Sequence, residues 1–190
     1  MTNRIGRKIK QFREENGMSL QDLAAETALH PRQLEMIENG EHKPSMATLI
    51  RIAQALKLRL GTILDGEECQ SPAVHCNKKL TPTISTSNDN TEVRNHLNFY
   101  SLAQEKSDRT MEPLLIEVNY LNPEGAEPSQ HEGEEFLYVL EGRAVLAYGH
   151  ESYVLEQGDS IYYDSFVPHV LTTPGEGEKA QVLAVTYTPF

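Results

Sequence analysis

In the first third of the chain, apolar residues recur at helical spacing. Ile5, Ile9 and Phe12 mark a first helix, and Gly17 ends it. Ser19 then offers an N-cap with Asp22 at the third helical position, close to a capping box. Leu20, Leu23 and Ala24 give the second helix its buried face. Pro31 suits the first turn of a third helix, where a missing N–H costs nothing, and Gly40 after Asn39 suits a left-handed helix end. Ser45 caps a fourth helix whose Leu49, Ile50, Ala53 and Leu56 form one apolar stripe, and a short segment over 60–65 closes the bundle. The pattern then stops. Residues 81–91 are rich in Ser, Thr and Asn, hold one Pro, and read as a linker. From Leu97 onward short β runs take over at 114–121, 136–140, 144–148, 160–163 and 182–187, punctuated by Gly142, Gly149, Gly158 and Pro174-Gly175. Their spacing predicts an all-β sandwich or barrel. The expected organisation is a helical domain over 1–66, a linker over 67–95 and a β domain over 96–190, with no internal repeat.

Charge sharpens this division. The net charge of −11 argues against nucleic-acid binding when the chain is taken whole. Residues 1–66, however, carry 10 Lys/Arg against 8 Asp/Glu, whereas 67–190 carry 7 against 20. The acidic excess therefore lies in the β half, and the helical half can keep a locally positive face. The chain has no apolar run of membrane-spanning length, and its basic start lacks the apolar core of a secretory signal. The two cysteines, Cys69 and Cys76, fall in the expected linker and form no disulfide framework. A cytoplasmic protein is expected. Cys69, His75 and Cys76 match no standard zinc spacing and read as solvated linker residues.

The stretch from Met18 to Leu56 resembles the Cro/lambda-repressor (XRE) type of helix-turn-helix transcriptional regulator. The resemblance covers about 60 residues and rests on Leu23-Ala24 in the second helix, Ile37-Glu38-Asn39-Gly40 ending the third, and Pro44-Ser45 opening the fourth. Leu34 and Ile37 form the packing face of the third helix, and Arg32, Gln33 and Met36 form another face that suits the major groove. Arg can pair bidentately with guanine, Gln with adenine, and Met can touch a thymine methyl. Lys43, Arg7 and the backbone around Asn39 and Gly40 are candidates for phosphate contacts. The resemblance further implies a structural ion pair between Arg13 and Glu38, and a double-stranded DNA operator bound by a homodimer or higher homo-oligomer. His30 stands where the family usually has a Ser or Thr N-cap.

From Pro113 the chain resembles the cupin superfamily. Gly125, His131, Glu135 and Gly142 follow the first cupin motif, with Ser129 at the position of its first His. Gly158 and His169 follow the second, while Asp164 and Phe166 replace its Pro and Gly. The resemblance implies a double-stranded β-helix, a jelly-roll-like barrel that brings His131, Glu135 and His169 together. Two imidazoles and one carboxylate suit a divalent metal, Fe(II) first, with Zn, Mn, Ni or Co as competitors. The same positions can instead surround an organic ligand without metal. Glu135, if interior, needs a metal, a proton or a donor. Which of Phe136, Tyr138, Tyr148, Tyr162 and Tyr163 face the cavity is left open by their alternation.

Two functions compete. The first is a transcriptional regulator whose barrel binds a small-molecule effector that shifts operator affinity, with no catalytic residue assigned. The second is a non-haem Fe(II) cupin enzyme acting on a small acid or phosphonate. The order of domains, and the segments EPLLIEVNYLNP, HEGEEFLYVLEG and VPHVL, resemble enzymes of the hydroxypropylphosphonate epoxidase type. Those use a Lys from the helical domain, where this chain has Gly17, and Pro128 replaces a polar substrate contact. A phosphonate dianion calls for cationic partners, in which the β half is poor. With Arg32 and Gln33 set on a repressor-like frame, the regulator reading is preferred.

Overall fold

A computed structural model describes residues 4–64, 84–87, 94–106, 109–123 and 126–189 of the chain. Five helices come first: α1 (Arg4–Glu15), α2 (Leu20–Thr27), α3 (Pro31–Asn39), α4 (Met46–Ala55) and α5 (Leu60–Leu64). Helix α1 packs on α3 and α5, and α2 packs on α3 and α4. Ile9, Leu23, Leu34, Ile37 and Leu49 are all but fully buried between them, each contributing about 1.5–3 kcal/mol of burial. The Ser19–Asp22 capping box is complete. The Asp22 N–H donates to Ser19 Oγ at 3.1 Å and the Ser19 N–H to Asp22 Oδ2 at 2.8 Å. His30 performs the capping role of the usual hydroxyl residue. Its Nδ1 accepts the Arg32 N–H at 3.2 Å, so α3 starts at Pro31. Gly40, at φ 76°, closes α3 in the left-handed region.

Nine antiparallel strands follow: β1 (Ile84–Ser87), β2 (Arg94–Ser101), β3 (Met111–Asn119), β4 (Glu134–Glu141), β5 (Ala144–Tyr148), β6 (Glu151–Leu155), β7 (Ser160–Asp164), β8 (His169–Thr172) and β9 (Lys179–Tyr187). They form a six-stranded sheet in the order β1-β2-β3-β9-β4-β7 and a three-stranded sheet in the order β6-β5-β8. Leu114, Ile116, Leu137, Val139, Leu146, Val182 and Ala184 are buried in the barrel. The segment expected to be linker is partly sheet. β1 and the start of β2 lie within 67–95, where Ser- and Thr-rich edge pairing leaves no apolar alternation to read. Cys69, His75, Cys76 and Gly125 lie outside the described residues.

The two domains touch. A side chain at Gly61 on α5 would place its Cβ 2.6 Å from Glu112 Oε1 and 2.9 Å from Arg109 Cζ. Arg109 and Glu112 form a buried pair at 2.6 Å, and Arg109 also donates to the backbone oxygens of Ala103 and Lys106. Glu112 lies opposite Thr186, Thr186 opposite Glu135, and Glu135 opposite Tyr163. One cross-strand row therefore runs from the α5 contact to the residues described next.

Candidate metal centre and nucleic-acid interface

His131 enters just before β4, Glu135 lies on β4 and His169 opens β8, so strands distant in sequence bring the three together. One ligand atom of each lies within 4.8 Å of the others, and all three residues are buried. Backbone oxygens hold both imidazoles by Nδ1, His131 at 3.0 Å from the Glu132 oxygen and His169 at 2.9 Å from that of Val167. An Nδ1–H donated to a carbonyl leaves Nε2 turned inward with its lone pair available, the arrangement that orients metal-bound histidines. His131 Nε2 lies 2.9 Å from Glu135 Oε1, whereas His169 Nε2 is 3.7 Å away, beyond hydrogen-bond reach. Because His131 Nδ1 already faces an acceptor, its short contact with Glu135 calls for a further proton or for a cation in that place.

The surroundings tune the same carboxylate. Burial pushes Glu135 up, but the His131 hydrogen bond, the charges on His169 and His131 and the Tyr163 hydroxyl outweigh it and hold Glu135 below its ordinary value. Tyr163 donates to Glu135 Oε2 at 2.7 Å and Ser165 donates to Oε1 at 3.3 Å. Burial pushes His169 below its ordinary value against the opposing pull of the Glu135 charge, which favours the neutral imidazole that a metal requires. Burial also raises Tyr163 well above the usual phenol, with Glu135 adding to the shift. The adjacent Glu134 points the other way and accepts from the exposed Tyr162 at 2.6 Å. Tyr163 is thus the cavity tyrosine, while Tyr138 and Tyr162 face outward. Ser129, at the position of the missing histidine, pairs with the His169 backbone in both directions at 2.8 and 2.9 Å. No fourth nitrogen ligand is supplied from there.

The cluster opens into a cavity of about 1140 Å³ between the two domains. Leu29, Gln33, Met46 and Arg51 wall it from the helical side, and Phe99, Leu137 and the cluster itself from the barrel. Gly17, exposed at the end of α1, is not part of this wall. Among the described residues, Arg51 is the one Lys or Arg that is.

In the helical domain, Arg13 and Glu38 meet as a buried bidentate pair. Arg13 Nε donates to Oε1 at 2.6 Å and Nη2 to Oε2 at 2.9 Å. Arg13 Nη1 donates to the Met18 oxygen, and the Glu38 hydrogen bond raises Arg13 above its ordinary value. On α3, Arg32 and Asn39 are exposed and Met36 is half-buried; Arg7, on α1, and Lys43, just before α4, are exposed. Gln33 departs from a purely outward face: it is half-buried and belongs to the cavity wall. Helical spacing placed Arg32 on α3, and the cupin resemblance named the metal cluster. Neither gave any sign of Arg51, Gln54 and His96, which line the same cavity from the two domains.

Comparison with known proteins fits this architecture. Residues 9–63 match the Helix-turn-helix family and residues 118–186 match the Cupin domain family. The chain joins a helix-turn-helix domain to a cupin domain. It is 27% identical over 187 residues to the (S)-2-hydroxypropylphosphonic acid epoxidase of Streptomyces wedmorensis, covering 94% of this chain and 93% of that one. It is 23% identical over 186 residues to the HTH-type transcriptional regulator PuuR of Escherichia coli, covering 97% and 96%. A crystal structure of an HTH_3 family transcriptional regulator from Vibrio cholerae shares the fold with a TM-score of 0.70 at 23% identity, covering 99% of this chain and 97% of that one. Among the described residues, no helix is long and apolar enough to cross a membrane.

Proposed function

We propose that the protein is a DNA-binding transcriptional regulator whose cupin barrel senses a small-molecule effector. The observation that carries this reading is Arg32, exposed on an α3 that is capped at both ends and locked from behind by Arg13–Glu38. A helix so held presents a guanidinium to base edges at a fixed pitch, and each good pair is worth about 1–3 kcal/mol of discrimination. Met36 supports the same contact, Lys43, Arg7 and Asn39 supply backbone contacts, and Gln33 sits between the groove and the cavity. Two copies of the chain acting on paired half-sites fit the way such domains read DNA.

In the barrel, His131, Glu135 and His169 would hold a divalent ion, Fe(II) before Zn, Mn, Ni or Co. Inward Nε2 atoms, a carboxylate and the absence of a fourth nitrogen ligand at Ser129 fit such an ion with open positions. The ion would supply a Lewis-acidic anchor for an effector group. Tyr163 and Ser165 orient the carboxylate, and the two backbone carbonyls fix the imidazoles. Effector binding then shifts operator affinity by a coupling of about 1–3 kcal/mol. Gel-shift titration against the region upstream of its own coding sequence, with and without chelator, tests this. A salt-sensitive shift that chelation alters is the expected result. Failure to retard any duplex at low ionic strength removes the regulator reading.

One observation favours a second reading, an iron-dependent oxidation: the similarity to the epoxidase runs through nearly the whole of both chains. It predicts turnover of (S)-2-hydroxypropylphosphonic acid by the ferrous protein in air. Gly17 and the single cationic wall residue, Arg51, weigh against a phosphonate dianion there.

A further inference from the structure

The interdomain cavity has a second polar end that the metal cluster does not explain. Arg51 Nε, Gln54 Nε2 and His96 Nδ1 are buried and have no hydrogen-bond partner. All three residues line the cavity, two from consecutive turns of α4 and one from β2. Buried donors are almost always satisfied in folded proteins, so three orphans against one cavity point to an acceptor that belongs there. Arg51 carries a permanent charge, which favours an ionised acceptor. The cavity wall also carries apolar residues, among them Phe99, Leu114, Ile116 and Leu137. A ligand that matches it has two polar ends and a hydrocarbon middle.

We propose that the cavity takes a short aliphatic dicarboxylate, with one carboxylate held by Arg51, Gln54 and His96 and the other facing the ion at His131, Glu135 and His169. This rests on the regulator reading and names its effector class. Glu26, Glu127 and Glu132 also belong to the wall, but all three are exposed at its wet rim, where solvent screens them. The donors of Arg51 and Gln54 lie deeper. His96 is neutral at physiological pH, because burial pushes it down to about 4, so it acts as a hydrogen-bonding group without charge.

The same contacts carry the signal. Arg51 Nη1 donates to the Thr27 oxygen at a long 3.3 Å, at the end of α2. Ala28, held at φ 53°, and Leu29 form the turn between α2 and α3, and both line the cavity beside Gln33. A non-glycine residue at positive φ carries a strain cost, so this left-handed cap of α2 depends on what packs around it. A carboxylate that recruits Arg51 therefore acts one hydrogen bond away from the turn that aims the reading helix.

Isothermal titration of the full-length, Mn(II)-loaded protein with succinate, glutarate and adipate tests the proposal. Their diamides and the diamines of equal length serve as controls. At least one diacid binds with heat at millimolar concentrations, and neither control does. Arg51→Gln and Gln54→Leu each weaken that diacid about tenfold or more, with bound manganese and the circular dichroism spectrum reporting that the variants have folded. The proposal is overturned if no diacid binds, if a diamide or diamine binds as well as the diacid, or if both folded variants bind it like the parent. Operator retardation by the parent protein is read in parallel. A shifted operator without diacid binding sinks this inference and leaves the regulator reading standing.

Discussion

Among the buried ionic clusters of the described residues, Arg13–Glu38 in the helical domain and the Glu135 cluster in the barrel both centre on a carboxylate and do opposite things. Arg13 and Glu38 close on each other: the guanidinium meets both carboxylate oxygens through Nε and Nη2, and its third nitrogen, Nη1, donates to Met18, so each guanidinium nitrogen has a protein partner. Nothing is left over for a ligand. In the barrel, Glu135 is ringed by His131, His169, Tyr163 and Ser165, yet both Nε2 atoms face one another's territory and the carboxylate rather than a matched partner. Depth of burial does not separate structure from function here. What separates them is whether donors and acceptors cancel locally.

The contrast breaks most visibly in the helical domain. Replacing Arg13 by Ala strands the Glu38 charge in the interior, and loss of one partner of a buried pair costs about 3–5 kcal/mol. Chemical denaturation should show the helical domain unfolding early in Arg13→Ala, with operator binding lost alongside. A variant that melts like the parent would mean the pair is idle. In the barrel, Glu135→Ala should act on metal content rather than on the fold. Affinity for Mn(II) or Fe(II) should fall by more than the roughly 10–100-fold that loss of a supporting partner costs, while the apo barrel stays folded. Collapse of the apo barrel would make the cluster a structural element like Arg13–Glu38.

Acid provides a third handle. Burial lowers His96 from 6.5 to about 4. The unfolded chain takes up the proton first, so stability attributable to His96 is present above pH 6.5 and is lost as pH falls toward 4. The loss reaches about 3 kcal/mol at most, and His96→Gln should flatten the pH dependence of unfolding in that window. An unchanged slope in that variant would place the acid sensitivity elsewhere. The smallest effect is expected from Tyr163→Phe, which removes the 2.7 Å bond to Glu135 without touching a ligand. Metal affinity should fall by about tenfold, with the ion's ligand set unchanged by spectroscopy.

How much of this could be read from the chain depends on how local each feature is. Capping at Ser19 and Ser45, the Gly40 terminus of α3 and strand β5 all carry their signal within a few residues, and each is found where the pattern placed it. Gly142 shows why the turns were legible. At φ 77°, with a Cβ position only 2.3 Å from the Lys179 oxygen, no other residue fits. Strand β6 went unread because it is exposed over most of its length and shows no alternation. Strand β8 is four residues long and follows Pro168 directly. At the metal centre, motif spacing named His131, Glu135 and His169, but Tyr163 is tied to Glu135 only by cross-strand register. Arg51, Gln54 and His96 are further still from local logic, since no pattern in α4 or β2 tells which domain surface each will meet.

The Gly61 contact bears on how the protein finds its site. With only a hydrogen in the way, α5 lies against the Arg109–Glu112 pair without a cushion of flexible side chain. In the two-copy assembly proposed above, contacts made by the barrels would then also dictate how far apart the reading helices stand, as a yoke sets the spacing of its team. On that proposal, operator geometry is to that extent written in the barrel half of the molecule, and a methyl group added at Gly61 would have to displace the Arg109–Glu112 side chains while leaving every proposed base-contacting residue intact.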